Sequence, residues 1–326
     1  MPQLTLHAPS RSVPASGRPL HRDRTTPRYE LVGPDGAPVV VALGGISATR
    51  HVTATAEDPS DGWWNDIVGA DRAIDTTRYR VLGVDFLDGG RRADGRPSRT
   101  ITTHDQADAV ARVLDQIGVE RIQAFVGASY GGMVGLAFAE KYPERIERLV
   151  VISAPHEPHP MSTALRALQR NIVKLGLESG RTTDALALAR GLAMTTYRSA
   201  REFAERFASA PVDYADGDAT FAVERYLAAH GERFASRWAA ERFLALSLSG
   251  DLHRVDPSKI HTPTVIVAAE GDAIVPGEQL ETLAAAIAAP TRLVHLASPR
   301  GHDAFLTEPT ALGNILEVAI STNLVS

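Results

Sequence analysis

Residues 122–131 read IQAFVGASYG, and this stretch decides the fold. An apolar run typical of a buried strand ends at Val126. Gly127, Ser129 and Gly131 follow with one residue between neighbours, and a helical pattern begins near Gly131. A serine at a tight turn from strand to helix, with glycines on both sides, presents its hydroxyl as a nucleophile. The stretch therefore predicts a nucleophile turn at Ser129; the alternative is a glycine-rich turn with an incidental serine.

Outside this stretch, short apolar runs alternate with helical patterns from Pro38 onward. Such alternation is typical of a mostly parallel sheet covered by helices. The predicted strands span residues 39–43, 79–84, 122–126, 149–153, 264–269 and 292–296. The clearest predicted helices span residues 104–117, 131–142 and 278–287. The predicted fold class is therefore α/β, with a mostly parallel sheet flanked by helices.

Residues 156–253 contain helical patterns only and are rich in alanine and arginine. We predict that they form an all-helical cap, inserted after the strand that ends at Ser153. In open α/β sheets, ligands bind at the carboxyl edge that such a cap would cover. The predicted organisation is a flexible tail at residues 1–27, a core at residues 28–155 and 254–326, and the cap at residues 156–253.

Ser129 requires a base, because a serine hydroxyl is a weak nucleophile until a neighbour accepts its proton. In the α/β-hydrolase fold, the three catalytic residues follow the chain order Ser, Asp, His. Asp272 comes just after the strand at 264–269, and His302 just after the strand at 292–296. Both lie at the same sheet edge as Ser129. We therefore predict an α/β-hydrolase fold with a Ser129–Asp272–His302 triad.

The oxyanion of an acyl-transfer intermediate requires backbone N–H donors near the serine. One is predicted at Tyr130, the residue after the nucleophile, and the other in the loop after the first parallel strand, at Leu43 or Gly44. The helix that begins beside Ser129 adds a positive potential at the same point.

Composition excludes several classes of function. The formal net charge of −5 shows no electrostatic footprint for nucleic acid, and no apolar run approaches the roughly 18 residues of a membrane span. Zero cysteines exclude disulfides and a thiol nucleophile, which fits the cytoplasm. The segment 156–159, HEPH, matches no usual ligand spacing, so no metal is predicted.

Several further segments resemble the homoserine O-acyltransferases of the MetX type, within the α/β-hydrolase superfamily. The resemblance covers residues 38–309 and is more specific than the G-x-S-x-G motif alone. The segments that carry it are GWW at 62–64, AIDT at 73–76, TYRS at 196–199, VERYL at 223–227 and SPRGHDAF at 298–305.

The resemblance implies ping-pong transfer of an acyl group from acyl-CoA, through an acyl-serine, to the hydroxyl of an amino acid, in methionine biosynthesis. It implies that Arg198 pairs with the carboxylate of the acceptor and Asp303 with its ammonium group. It also implies a homodimer paired through the cap, and no cofactor beyond the acyl-CoA co-substrate.

The acyl group is predicted from the segment 164–170, ALRALQR, which resembles the first cap helix of succinyl-using members of the family. A succinyl group carries a free carboxylate, which an arginine can bind. Arg166 is therefore predicted to select succinyl-CoA, although its helix position is also that of an ordinary solvated side chain.

Two departures from the family pattern leave the substrates open. Tyr130 stands where methionine is usual, and the stretch at residues 85–99 is shorter than in typical members. Homoserine O-succinyltransferase is the first hypothesis. The alternatives are an acetyl donor, a serine acceptor, a simple esterase and a non-catalytic binding protein.

Overall fold

The computed structural model of the protein describes residues 27–321. The predicted tail at residues 1–27 lies, apart from Pro27, outside the described residues. The predicted mostly parallel sheet with flanking helices is confirmed. The strands are β1 (Tyr29–Val32), β2 (Val39–Leu43), β3 (Val68–Gly69), β4 (Ile74–Asp75), β5 (Arg80–Val84), β6 (Ala124–Ala128), β7 (Leu149–Ile152), β8 (Asp213–Ala215), β9 (Asp218–Thr220), β10 (Thr264–Ala269) and β11 (Thr291–Leu296).

The described part of the chain also contains ten α-helices. They are α1 (Thr103–Gln116), α2 (Tyr130–Lys141), α3 (Pro160–Glu178), α4 (Thr182–Tyr197), α5 (Ala200–Arg206), α6 (Ala222–Ala235), α7 (Ala240–Asp251), α8 (Gly277–Ala286), α9 (Ala304–Thr307) and α10 (Pro309–Ser321). None of the helices between residues 27 and 321 is both long and apolar enough to cross a membrane.

The main sheet has seven strands in the order β1-β5-β2-β6-β7-β10-β11. Every neighbouring pair is parallel except β1 and β5, which are antiparallel. Strand β1 is not among the predicted strands, because four half-buried residues are too few for their pattern to be told from that of a loop.

Alternate residues of the central strands pack into two cores, one on each face of the sheet. In β2, Val39, Val41 and Leu43 enter one core, while Val40 and Ala42 enter the other. All five residues are at most 4% exposed, which explains why a strand buried on both faces shows as a continuous apolar run in the sequence. The sheet thus gives the site a rigid base.

The segment between β7 and β10 forms five helices, α3–α7, with a small core of their own around Val173, Leu186 and Phe234. The prediction that this segment is entirely helical is wrong. β8 and β9 form an antiparallel hairpin whose two-residue turn is Asp216-Gly217. Asp-Gly is a strong hairpin signal, but strands of three residues are too short to show a period of two.

Candidate active site

Ser129 lies between the last residue of β6 and the first residue of α2, with the unusual backbone angles φ 54° and ψ −121°. Only a very tight turn places a non-glycine residue in this region. The turn closes because its glycines lack side chains: a Cβ on Gly131 would lie 2.2 Å from the Leu43 carbonyl oxygen. A Cβ on Gly127 would lie 2.3 Å from the Gly131 carbonyl oxygen. The spacing seen in the sequence is therefore a steric requirement.

The three residues predicted as a triad meet at the carboxyl edge of the sheet. Ser129 Oγ lies 2.7 Å from His302 Nε2, and His302 Nδ1 lies 2.7 Å from Asp272 Oδ2. The other carboxylate oxygen of Asp272 accepts hydrogen bonds from the backbone N–H groups of Ile274, at 2.8 Å, and Val275, at 2.9 Å. These bonds orient the carboxylate, which in turn orients the imidazole.

The charge of Asp272 governs the protonation of His302, which is only 4% exposed. Burial alone lowers the pKa of His302, but the charge of Asp272 and the hydrogen bond to it outweigh burial and raise the pKa above 6.5. A neighbouring carboxylate thus makes the imidazole a stronger base than it would be in a purely apolar site. That is the property a general base beside a serine needs.

The loop after β2 is held against the nucleophile turn, since β2 and β6 pair with Leu43 opposite Gly127. The Gly131 N–H donates to the Gly44 carbonyl at 2.9 Å. Tyr130 lines the cavity, as do the next two residues of the loop, Gly45 and Ile46. The structure therefore brings the predicted oxyanion loop to Ser129, while Leu43 and Gly44 stay a prediction as donors.

The Tyr130 side chain joins the turn to the cap. Its hydroxyl lies 2.7 Å from Ser249 Oγ in α7 and accepts from Gln106 Nε2 at 3.3 Å. Burial raises the pKa of Tyr130 to about 12, against the effect of these hydrogen bonds. The hydroxyl therefore stays neutral at physiological pH. The Tyr130 side chain thus forms a bridge between the core and the cap.

A cavity of about 240 Å³ lies above Ser129. The loop after β2 forms its lower wall, and cap helices α3, α4 and α7 form the upper wall. Of the predicted site residues, Ser129, Tyr130, Arg166, His302 and Asp303 line it. Within residues 27–321, no group of three or more His, Asp or Glu side chains is placed to hold a metal ion.

Asp303 follows His302 in the chain and lines the cavity. Arg198 contacts Asp303 but is not among the described residues that line the cavity. Arg198 Nε is 3.1 Å from Asp303 Oδ2, although the N–H is not aligned for a hydrogen bond. Arg198 also contacts Glu202, at 3.7 Å. Burial raises the pKa of Asp303 above its usual range, and the charge of Arg198 partly offsets that rise.

Arg190 of α4 lines the cavity and was not predicted from the sequence. Its guanidinium carbon lies 4.9 Å from the centre of the Tyr197 ring and 5.2 Å from that of Phe234. Among the described residues no carboxylate forms an ion pair with it. An arginine within the apolar stretch LALARGLAM of α4 was the available signal, because a charge in such a stretch needs a partner or a function.

Arg166 also lines the cavity, so it is not an ordinary solvated side chain. Its Nε donates to Asp251 Oδ1 at 2.7 Å. Arg170 contacts the other oxygen of the same carboxylate, with Nη1 at 2.5 Å from Asp251 Oδ2. The Asp251 side chain is 6% exposed and lies between the two guanidinium groups.

Comparisons with known proteins agree with this geometry. The family model of the alpha/beta hydrolase fold matches residues 38–309. A homoserine O-succinyltransferase from Xanthomonas campestris is 46% identical, over 90% of this chain and 79% of that protein. A homoserine O-acetyltransferase from Thermus thermophilus is 34% identical, over 85% of this chain and 80% of that protein.

The fold itself is shared more widely. The crystal structure of a homoserine O-acetyltransferase from Bacillus anthracis matches with a TM-score of 0.81 over 91% of this chain and 92% of that chain. At 17% sequence identity, that likeness shows the fold alone. The sequence matches carry the more specific conclusion: the protein belongs to the α/β-hydrolase family and, within it, to the homoserine O-acyltransferases.

Proposed function

We propose that the protein transfers a succinyl group from succinyl-CoA to the hydroxyl of L-homoserine, through a covalent intermediate on Ser129. The observation that carries the proposal is a closed Ser129–His302–Asp272 hydrogen-bond chain at the base of a cavity that Arg166 lines. The 46% identity to a homoserine O-succinyltransferase supports the choice of donor and acceptor.

The first half-reaction acylates the serine. His302 Nε2 accepts the Ser129 proton while Oγ attacks the thioester carbon of the acyl-CoA. The N–H of Tyr130 and a second N–H from the loop at Leu43-Gly44 stabilise the oxyanion that forms. The tetrahedral intermediate then collapses, the C–S bond breaks, and the proton on His302 passes to the departing CoA thiolate. The products are free CoA and succinyl-Ser129.

The second half-reaction runs the same chemistry with the amino acid as nucleophile. His302 accepts the proton of the homoserine hydroxyl, whose oxygen attacks the acyl-serine carbonyl carbon. The tetrahedral intermediate collapses, the bond between that carbon and Ser129 Oγ breaks, and the proton on His302 passes to Oγ. The products are O-succinyl-homoserine and free Ser129. Anchoring the hydroxyl next to the acyl-serine raises its effective concentration above that of competing water. This favours transfer over hydrolysis.

The acceptor is a zwitterion, so its anchor requires one cation and one anion. Asp303, beside His302 in the cavity wall, is the proposed partner of the ammonium group. The family resemblance implies Arg198 for the carboxylate, but Arg198 already contacts Asp303 and Glu202. We therefore assign the carboxylate to Arg190, which lines the cavity and has no ion-pair partner among the described residues. Arg198 then favours the ionised form of Asp303.

The donor carries a second carboxylate, which we assign to Arg166. The proposal also includes a cap at residues 156–253, a homodimer in the cytoplasm, and no cofactor other than the acyl-CoA co-substrate. Size-exclusion chromatography with light scattering tests the dimer directly. A mass equal to one chain would contradict the proposed dimer but not the proposed acyl transfer.

The test of function is the rate of CoA release from succinyl-CoA and acetyl-CoA, each with homoserine and with serine. We expect succinyl-CoA with homoserine to have the highest kcat/KM of the four. Intact-protein mass spectrometry after incubation with succinyl-CoA alone should find a succinyl adduct that Ser129→Ala lacks. Acetyl-CoA as the better donor would contradict the donor assignment. Equal CoA release with and without an amino acid would identify a hydrolase instead.

A further inference from the structure

We propose that Gln169 is a second specificity-determining residue for the acyl donor and that it binds the free carboxylate of the succinyl group together with Arg166. This inference rests on the proposed function, because only a dicarboxylic acyl group brings such a carboxylate into the cavity.

The first observation is the position of Gln169 on α3. Residues three apart on a helix lie side by side on one face, and Gln169 follows Arg166 by three. Both line the cavity above Ser129. Gln169 is 5% exposed, so it belongs to the wall and not to the outer surface of the cap.

The second observation is that the amide of Gln169 has no hydrogen-bond partner among residues 27–321. The side-chain N and O atoms of Gln169 are not among the fully buried polar atoms without a partner in the described chain, so the amide is open to the cavity that the residue lines. Polar groups in such a wall are normally paired within the protein. The neighbouring wall residue Ser162 shows the usual arrangement, since its hydroxyl donates to the Ile274 carbonyl at 2.7 Å. The free amide of Gln169 is therefore suited to a ligand, and its NH₂ group can donate to a carboxylate oxygen.

The third observation is the charge beside it. Arg166 and Arg170 share one carboxylate, Asp251, so this cluster carries one positive charge in excess. Asp251 engages Nε and Nη2 of Arg166, and Nη1 of Arg166 has no partner among the described residues. One guanidinium N–H group and one amide N–H group, three residues apart on one helix, thus face the cavity. Together they match the two oxygens of a single carboxylate.

The three observations assign different roles to the side chains of the cap. Asp251 and Arg170 hold Arg166 in place, and Arg166 and Gln169 contact the ligand. Acetyl-CoA has no carboxylate at this end of its acyl group, so its rate should not depend on Gln169. The comparison of the two donors isolates this contact.

The experiment measures kcat/KM for succinyl-CoA and for acetyl-CoA, with homoserine, in the wild type and in Gln169→Met. Met keeps the length of the side chain and removes its hydrogen bonds. We expect kcat/KM for succinyl-CoA to fall about tenfold relative to acetyl-CoA, the loss typical of a hydrogen bond to a charged group. In Gln169→Glu the loss should reach about 100-fold, because the new carboxylate repels that of the donor and pairs with Arg166. Because the readout is a ratio within one preparation, partial unfolding of a variant cancels.

Ser162→Ala is the matched control, since it removes a polar group from the same helix face that is already satisfied within the protein. Its donor ratio should equal that of the wild type. Equal loss for both donors in Gln169→Met would overturn the inference and place Gln169 against the pantetheine arm that the donors share. If the wild type prefers succinyl-CoA and Gln169→Met has the same donor ratio as the wild type, the inference is overturned and the proposed function stands. A wild type that prefers acetyl-CoA would overturn both.

Discussion

The nucleophile turn and the arginine cluster of the cap face each other across one cavity but are built in opposite ways. The turn consists of contiguous residues, 124–141, and its shape follows from backbone contacts made possible by Gly127 and Gly131. The cluster joins side chains that are 85 and 81 residues apart in the chain, Arg166 and Arg170 with Asp251. The turn is local and steric, whereas the cluster is long-range and electrostatic.

In the proposed function, the turn carries out the chemistry and the cluster selects the acyl donor. A catalytic serine must be held by a backbone that cannot relax, and the glycines that permit this leave a readable pattern. A binding wall needs only charges of the right sign in the right place, which many sequences can supply. We therefore expect changes at the base of the cavity to abolish turnover of every donor, and changes in the wall to alter the choice of substrate.

The largest expected effect is that of Asp272→Asn at the base. The neutral amide of this variant would no longer stabilise the imidazolium, so kcat should fall about 10³- to 10⁴-fold with both donors alike. The pH dependence of kcat/KM tests the same interaction between Asp272 and His302. His302 must be neutral to accept a proton, and Asp272 raises its pKa, so wild-type kcat/KM should fall as pH drops through a value above 6.5. In the variant, burial still lowers the pKa of His302 and the largest opposing influence, the charge of Asp272, is gone, so the acid limb should move to lower pH. A limb that stays in place would contradict the assignment of His302 as base.

The second prediction concerns the acceptor side of the wall. Arg190→Met should raise KM for homoserine at least about tenfold, since a charge-assisted contact to the substrate is lost. The first half-reaction does not involve the amino acid, so formation of the succinyl adduct on Ser129 should keep its wild-type rate. Rapid-quench mass spectrometry measures that step. A slowed first step with unchanged KM for homoserine would place Arg190 against the donor.

Arg198→Met serves as the comparison for Arg190. Here we expect the main loss in stability, because Asp303 keeps its burial but loses its cation, and its pKa rises further. A larger KM effect in Arg198→Met than in Arg190→Met would restore the assignment of the acceptor carboxylate to Arg198.

The third prediction tests the long-range character of the cluster. Asp251→Asn leaves two adjacent guanidinium groups in a largely buried place without their shared carboxylate. The free energy of unfolding should fall by about 3 kcal/mol, measured by urea denaturation. Succinyl-CoA should lose more kcat/KM than acetyl-CoA, because Arg166 is no longer held. Equal kinetic losses would mean that Asp251 acts on stability alone.

The smallest effect is expected at the bridge between base and wall. Tyr130→Phe removes the hydroxyl that joins Ser249 and Gln106, and the free energy of unfolding should fall by about 1–2 kcal/mol. Because burial holds the pKa of Tyr130 at about 12, its hydroxyl stays protonated across the acid limb of kcat/KM, and that limb should not move. A shifted limb would show that the bridge acts on His302.

The strands that the sequence predicts differ in burial from the strands that it misses. The six predicted strands correspond to observed strands, since a strand such as β2, with Val40 in one core and Val41 in the other, is buried on both faces and forms a continuous apolar run. Tyr29–Val32 and the hairpin β8–β9 were missed, because short, exposed or half-buried strands carry no such run.

The sequence by itself determined the position of the nucleophile turn and the chain order of Ser129, Asp272 and His302. Strand ends and glycines are local features, and parallel strands bring their carboxyl ends to one edge. Only the tertiary structure decided which arginines face the cavity. Arg166, Arg190 and Arg198 look alike in a helical pattern, and the difference lies in partners far along the chain. Asp251 holds Arg166, whereas Asp303 and Glu202 contact Arg198. Arg190 packs against two aromatic rings and has no ion-pair partner in the described chain.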